Sequence, residues 1–220
     1  MNILVIAPHP DDEILGCGGT LLKHQNCGDQ IHIVYITEIQ QQYGYTKEQI
    51  DRRNIEISSI LDKLGAQSHF MGYPTATLND ADIVSLVPKL SETFKKIAPN
   101  IVYLPHRSDV HSDHGISFKA AYACTKTFRC PSIKTILAYE TISETDFAPT
   151  YASDTFIPNY FVDISDFILK KVELMQIYSS ELGEPPFPRS IHNLKALSSL
   201  RGAAAGVEHA EAFHLLKTIS

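Results

Sequence analysis

Acidic and histidine side chains are concentrated in one short stretch near the start of the chain, His9-Pro10-Asp11-Asp12-Glu13. This stretch directly follows the apolar run 3–6, which predicts a buried strand, and it precedes a glycine-rich segment, 16–19, which predicts the start of a helix. In open α/β sheets, ligands bind beyond the carboxyl ends of the strands. We therefore expect the chemistry of this protein to take place at this turn.

A metal site is the chemistry that these residue types favour. Catalytic zinc uses three protein ligands and leaves one position for water. His9 and Asp12 are three residues apart on a turn, so both side chains can reach one ion. The third ligand must come from elsewhere, and either His111 or His114 can supply it, because their polar stretch also follows a predicted strand. Nitrogen and oxygen donors suit zinc, with iron(II) and manganese as alternatives.

The carboxylate of Asp11 is then left beside the ligands. A carboxylate next to a metal-activated water can take its proton, since the metal lowers the pKa of that water to roughly 7. A second histidine nearby can donate to a developing oxyanion. A metal, a base and a polarising acid are the parts that cleavage of an amide requires. The opposing interpretation, that the two aspartates only cap the next helix, leaves the second histidine-rich stretch unexplained.

Four motifs resemble those of one enzyme family, the LmbE-like or PIG-L N-deacetylases. Residues 8–13 resemble its A-H-P-D-D-E signature, and residues 111–114 resemble its H-P-D-H motif with serine in place of proline. Residues 53–56 resemble its R-x-x-E helix. Residues 208–213 resemble its closing Y-A-E-A-F pattern, with histidine where tyrosine is usual. The resemblance therefore extends along nearly the whole chain.

This resemblance implies a metal-dependent hydrolase that removes the acetyl group from an N-acetylated amino sugar, or from its glycoconjugate or nucleotide-sugar form. It also implies the following roles: His9, Asp12 and His114 as metal ligands, Asp11 as general base, His111 as the group that acts on the oxyanion or the departing amine, and Arg53 as a contact to the sugar or its substituent. Glu13 receives no role from the motif, and we expect it to steady a ligand through a hydrogen bond.

Two other functions are open to the same residues. A divalent-metal phosphohydrolase could use Asp11, Asp12 and Glu13, but the paired histidines and the lack of a phosphate-cradling loop weigh against it. A non-catalytic sugar-binding module could share the fold, but such a module has no use for a base at position 11. Release of acetate, of phosphate or of neither distinguishes the three.

Alternating strands and helices must position these residues. The pattern predicts a Rossmann-like, doubly wound α/β fold, with a mostly parallel sheet flanked by helices. The predicted strands are 2–7, 31–36, 68–71, 101–104, 133–140 and an edge strand, 160–163. The predicted helices are 16–28, 47–64, 82–97 (or from Pro88), 115–127, 165–178 with Ser165 as its N-cap, and 190–205. Loops at 38–46, 72–80 and 141–158 would shape the substrate pocket.

Some other residues have simpler structural explanations. The glycines of 16–19 do not match G-x-G-x-x-G, and close packing of a helix on a strand explains them better. His106 is expected on a surface loop, and Arg189 and Arg201 are expected to have surface roles.

Composition sets the remaining limits. The 220 residues are 44% hydrophobic and 20% charged, which is ordinary for one globular domain spanning residues 1–220. A formal net charge of −6 argues against a nucleic-acid partner. The four cysteines predict reduced thiols rather than a disulfide framework. No apolar run approaches the ~20 residues of a membrane span. With no targeting segment at its start, the chain is expected to be cytoplasmic. Because it is short for the family that it resembles and shows no obvious extra domain, it is expected to associate into a homo-oligomer.

Overall fold

One seven-stranded sheet organises the computed structural model, which describes residues 1–219. The strands are β1 (Asn2–Ala7), β2 (Gln30–Glu38), β3 (Gln67–Pro74), β4 (Ile101–Pro105), β5 (Thr135–Tyr139), β6 (Tyr160–Asp163) and β7 (Ala210–Thr218). The helices are α1 (Asp12–Asn26), α2 (Lys47–Leu64), α3 (Ile83–Ile97), α4 (Ser112–Cys124), α5 (Ile168–Met175) and α6 (Ile191–Ala205). The sheet order is β3-β2-β1-β4-β5-β7-β6, and β7 alone runs opposite to the other six strands. The predicted Rossmann-like, mostly parallel fold is confirmed.

Helices cover both faces of this sheet, so the central strands are apolar throughout. Successive side chains of a strand point to opposite faces. Ile3 and Val5 accordingly join a core beneath α1, α2, α5 and α6, whereas Leu4 and Ile6 join a second core beneath α3 and α4. Burial on both faces explains why β1 appears in the sequence as a continuous apolar run.

Several boundaries differ from the predicted ones. Helix α1 begins at Asp12 rather than Gly16, and α4 begins at Ser112, three residues before its predicted start, because the His111 side chain caps its first turn. Helix α5 is shorter than predicted, since Ser165 binds Asp163 in a turn instead of capping the helix. For α3, the structure agrees with the longer of the two predicted helices, with Pro88 inside it.

The glycines at the start of α1 confirm the predicted close packing. A Cβ atom on Gly16 would lie 2.3 Å from the ring of Tyr139 in β5, and one on Gly19 would lie 2.8 Å from Ile164. The helix can therefore approach the sheet only because these positions lack side chains.

The expected surface position of His106 is wrong. Its side chain is buried, bonds through Nε2 to the Asp154 carbonyl (3.0 Å), and packs against Phe156. Burial results from segment 141–158 folding back over the end of β4, an arrangement that local sequence does not reveal.

All four cysteines are free thiols, as predicted. Across residues 1–219, no helix has the length and apolarity needed to cross a membrane.

Candidate active site

The turn between β1 and α1 has an unusual backbone conformation at Asp11. Its φ of 141° lies in a region that non-glycine residues rarely adopt. Two bonds help to hold the turn: the Asp11 N–H donates to Glu13 Oε2 (3.0 Å), and the His9 N–H donates to Asp12 Oδ2 (2.9 Å). Strain of this kind persists only where the surroundings fix it, and it is concentrated at functional sites.

Glu13 is the residue that fixes this turn from below. Its side chain is buried, and besides Asp11 it accepts hydrogen bonds from the hydroxyls of Tyr35 (3.1 Å) and Tyr178 (2.8 Å). Burial raises the pKa of Glu13 to about 7, although these hydrogen bonds oppose the shift. We expected Glu13 to steady a metal ligand, whereas its bond is to the backbone of Asp11.

The two predicted histidine-containing stretches meet at the carboxyl ends of β1 and β4. Ligand atoms of His9, Asp12 and His114 all lie within 4.8 Å of one another. Asp12 Oδ2 is between the two rings, 3.3 Å from His9 Nδ1 and 3.2 Å from His114 Nε2. Parallel order of β1 and β4 therefore brings together residues about a hundred positions apart.

A second possible ligand group consists of His9, His111 and Asp113. Asp113, however, already accepts two backbone N–H groups from segment 76–78 and contacts His9 Nε2 at 3.0 Å. By contrast, His114 Nε2 is buried without a hydrogen-bond partner, because its contact with Asp12 lacks hydrogen-bond geometry. An orphaned buried nitrogen beside a carboxylate and a second imidazole fits a divalent cation. The geometry thus favours the group that contains His114.

Two further carboxylates orient the candidate ligands. Asp109 Oδ2 lies 2.8 Å from His114 Nδ1, and the Thr145 hydroxyl donates to Asp109 Oδ1 at 2.6 Å. Asp113 plays the same part for His9. Metal-binding histidines usually bond a carboxylate through their second nitrogen. Our sequence reasoning missed both aspartates, although both lie in the polar stretch that follows β4.

The charges of the cluster create a field that attracts a cation. Burial alone would lower the pKa of His9, but its bonds to Asp113 and Asp12 outweigh burial and raise that pKa to about 9. The pKa of His114 is also raised against burial, by Asp12 and Asp109. Burial opposes ionisation of Asp12 as well, yet the two histidines hold its pKa well below the usual range. The raised pKa values of the two histidines report the negative charge of the carboxylates around them, and the lowered pKa of Asp12 keeps that carboxylate ionised; both suit a metal ion.

The pKa of His111 shifts in the opposite direction to those of His9 and His114. Burial and the neighbouring His9 lower the pKa of His111 to about 4, which keeps the ring neutral near pH 7. Its Nδ1 accepts a hydrogen bond from the Asp113 N–H (3.2 Å), so the proton of the neutral ring is on Nε2. The ring stands 4.5 Å from that of His9 and lines the same cavity. His111 can therefore act as a hydrogen-bond donor there.

Arg189 reaches this site, which corrects the expected surface role. Its Nη1 donates to Asp11 Oδ2 at 2.9 Å. Burial and Asp12 raise the pKa of Asp11, and Arg189 opposes that rise. The contact spans 178 residues of sequence, so no local signal could have predicted it. Arg201, in contrast, pairs with Glu140 and does not line this cavity.

Arg53 also lies at the cavity, but its guanidinium is engaged by the protein. Nη1 donates to the Pro10 carbonyl (2.6 Å), and Nη2 donates to Glu181 and to Ser180. Its Nε forms a 3.1 Å ion pair with Glu56 that lacks hydrogen-bond geometry. Arg53 therefore braces the turn that carries Asp11 as well as lining the cavity.

A cavity of about 540 Å³ opens above these groups, which is large enough for a sugar. The turn 9–12 and His111 line it, together with residues of β2, β3 and the segments that follow these two strands: Glu38, Tyr45, Phe70 and Thr75. All three predicted loops thus contribute to its wall, and the contribution of loop 141–158 is Glu144.

Comparison with known proteins decides the family. The profile of the PIG-L family, GlcNAc-PI de-N-acetylase, matches residues 4–125, which include every candidate metal ligand and Asp11. The chain belongs to the PIG-L family. The resemblance seen in the motifs is confirmed, and with it the assignment of the chain to a family of deacetylases.

Relatives of this PIG-L protein match it along most of its length. Diacetylchitobiose deacetylase of Thermococcus kodakarensis is 25% identical over 234 residues, covering 99% of this chain and 84% of that protein. The crystal structure of the conserved protein TT1542 from Thermus thermophilus superposes with a TM-score of 0.78 at 25% identity, covering 100% of this chain and 96% of that one. N,N'-diacetylchitobiose deacetylase of Pyrococcus horikoshii shares the fold, with a TM-score of 0.78 at 22% identity, covering 98% of this chain and 83% of that one.

Proposed function

We propose that this PIG-L protein is a zinc-dependent hydrolase that removes the acetyl group from an N-acetylated amino sugar, or from its glycoconjugate or nucleotide-sugar form. The observation that carries the proposal is the convergence of His9, Asp12 and His114 beside Asp11 at the base of an open cavity. Two nitrogens and one carboxylate oxygen form a three-ligand set of the kind that catalytic zinc uses, and iron(II) or manganese could substitute.

His9, Asp12 and His114 would hold the metal, with His9 using Nδ1, since its Nε2 is bonded to Asp113. When bound, the metal supplies Lewis-acid polarisation of the acetyl carbonyl and acidifies water. The ligands themselves need little rearrangement, because Asp109 and Asp113 already fix both imidazole rings. This preorganisation keeps the cluster directed at one point.

Asp11 acts as the general base in this proposal. Its Oδ2 is held by Arg189, and no described residue hydrogen-bonds its Oδ1. That second oxygen is available to accept the proton of the attacking water. His111 lines the same cavity and, as a neutral ring with its proton on Nε2, donates a hydrogen bond to the developing oxyanion. The departing amine takes up the proton that Asp11 accepted from the water.

An amino sugar is the substrate class that the relatives favour. The Thermococcus relative is named for diacetylchitobiose, a substrate that carries N-acetyl groups on sugars. A cavity of about 540 Å³ lined by charged, amide and aromatic side chains can bind such a polar ring. Which acetylated sugar fits best depends on α2, which forms much of the cavity wall, and on segments 38–46 and 72–80, which add to it.

Acetate release from a panel of N-acetyl sugars and nucleotide sugars, scored together with the free amine, tests the proposal. We expect equal amounts of both products from at least one substrate. Release of phosphate instead would indicate the phosphohydrolase, and binding of a sugar without products would indicate the sugar-binding module. The single domain over residues 1–220, the cytoplasmic location and the homo-oligomer stay predictions.

A further inference from the structure

We propose that Arg189 is a positioning residue that holds Asp11 in the orientation needed to accept a proton. The inference rests on the proposed function, because it takes Asp11 to be the base. It adds a residue from the far end of the chain that neither the motifs nor the family profile, which ends at residue 125, includes.

The contact of Arg189 with Asp11 divides the two carboxylate oxygens between two tasks. Nη1 of Arg189 lies 2.9 Å from Oδ2, whereas Oδ1 has no hydrogen-bond partner within residues 1–219. A carboxylate held by only one oxygen keeps the other available for water. Without the arginine, the Asp11 side chain could rotate about χ1 and χ2, since Glu13 holds only its backbone.

Arg189 is itself held in place from two directions. Its Nη1 lies 3.5 Å from Glu181 Oε2, and Glu181 is bound in turn by Arg53. The backbone of the same loop is anchored where the Gly183 N–H donates to the Arg189 carbonyl at 3.0 Å. A side chain restrained at Nη1 and at its backbone loses little further entropy when it orients a partner.

The same network fixes the backbone of Asp11. Arg53, which binds Glu181 through Nη2, donates through Nη1 to the carbonyl of Pro10, the residue before Asp11. One connected set of charges therefore controls the position of the base, through its backbone by Arg53 and through its side chain by Arg189. This places the geometry of Asp11 under the control of the loop between α5 and α6.

Three variants separate a positioning role from others. Arg189→Met removes the hydrogen bond, Arg189→Lys keeps a charge but loses the fork geometry, and Arg129→Met serves as a control on an exposed arginine outside the cavity. We expect kcat of Arg189→Met to fall by about 100-fold with little change in KM, because misplacing a reacting group by about 1 Å costs that much. Arg189→Lys should retain more activity, and added methylguanidine should partly restore Arg189→Met.

Combining the change with Asp11→Asn gives the decisive comparison. If Arg189 acts through Asp11, Arg189→Met should cause no further loss of kcat in the Asp11→Asn background. A rise in KM at unchanged kcat would make Arg189 a substrate-binding residue, and an additive loss in the double variant would make it independent of Asp11; either overturns the inference. The melting temperature and metal content of Arg189→Met should match those of wild type. If this variant does not fold, Arg189→Lys is combined with Asp11→Asn instead, and the same comparison decides whether Arg189 acts through Asp11. Failure of the wild-type protein to deacetylate any substrate would instead overturn the proposed function, and the inference with it.

Discussion

Replacing Asp109 by asparagine should weaken metal binding although Asp109 is not itself a candidate ligand. Both oxygens of this buried carboxylate accept hydrogen bonds, Oδ2 from His114 Nδ1 (2.8 Å) and Oδ1 from the Thr145 hydroxyl (2.6 Å). Asparagine has the same shape but only one acceptor oxygen. Its amide therefore meets one of the two donors with an N–H group, which leaves a buried donor unsatisfied.

The size of the effect follows from this loss. An unsatisfied buried donor costs about 1–3 kcal/mol. Loss of the carboxylate behind a metal-binding histidine typically lowers metal affinity by about 10–100-fold, which corresponds to about 1.4–2.8 kcal/mol. The two ranges agree, so we expect a dissociation constant for zinc that is about 10–100-fold higher in Asp109→Asn than in wild type.

Competition between the metal-free protein and a fluorescent zinc chelator measures this directly and needs no substrate. Asp80→Asn is the matched control, because Asp80 is exposed, pairs with Lys119 and does not contact the cluster. We expect its zinc affinity to equal that of wild type. Equal affinities for wild type and Asp109→Asn would refute the argument that Asp109 orients a metal ligand, as would an equal loss in the Asp80 control.

Three other outcomes can be measured on the same protein. Gly16→Ala should lower the free energy of unfolding by about 1–3 kcal/mol in urea denaturation, because its Cβ would lie 2.3 Å from the buried ring of Tyr139. Unchanged stability would contradict the close packing of α1 on the sheet. In the same urea titration, Lys171→Met should destabilise the fold by about 3–5 kcal/mol, because the buried carboxylate of Glu211 loses its 2.6 Å partner. A cost near zero would show that Glu211 is stabilised by its backbone donors alone. Dialysis against a chelator should abolish acetate release and lower the melting temperature, and stoichiometric zinc should restore both. Activity that survives metal removal, with the removal verified by elemental analysis, would exclude a metal-dependent reaction.

The parts of the site that could be predicted are those carried by short motifs at strand ends. His9 and Asp12 are adjacent in sequence to β1, and the parallel order of β1 and β4 makes their meeting with the 111–114 stretch a consequence of the fold. Residues alone left the choice between His111 and His114 open. The orphaned Nε2 of His114 and the capping bond at His111 Nδ1 distinguish the two, and both depend on three-dimensional geometry.

Contacts made by irregular segments could not be predicted. Arg189 lies in a proline-rich loop with no periodicity, and its position over Asp11 depends on how that loop is anchored between α5 and α6. His106 was misplaced for the same reason, since segment 141–158 covers it. Strand and helix patterns report which face of an element is buried, but they carry no information about where a loop crosses the sheet.

The most direct test of the central claim compares metal-loaded wild type with metal-loaded Asp11→Asn. Acetate and free amine are measured together on an N-acetyl sugar that the wild type accepts, and zinc is counted in both proteins. The account predicts about one zinc per chain in each, equal release of both products by wild type, and a rate about 10²–10⁴-fold lower in Asp11→Asn. Near-normal turnover by a zinc-loaded Asp11→Asn protein would contradict the assignment of Asp11 as the base.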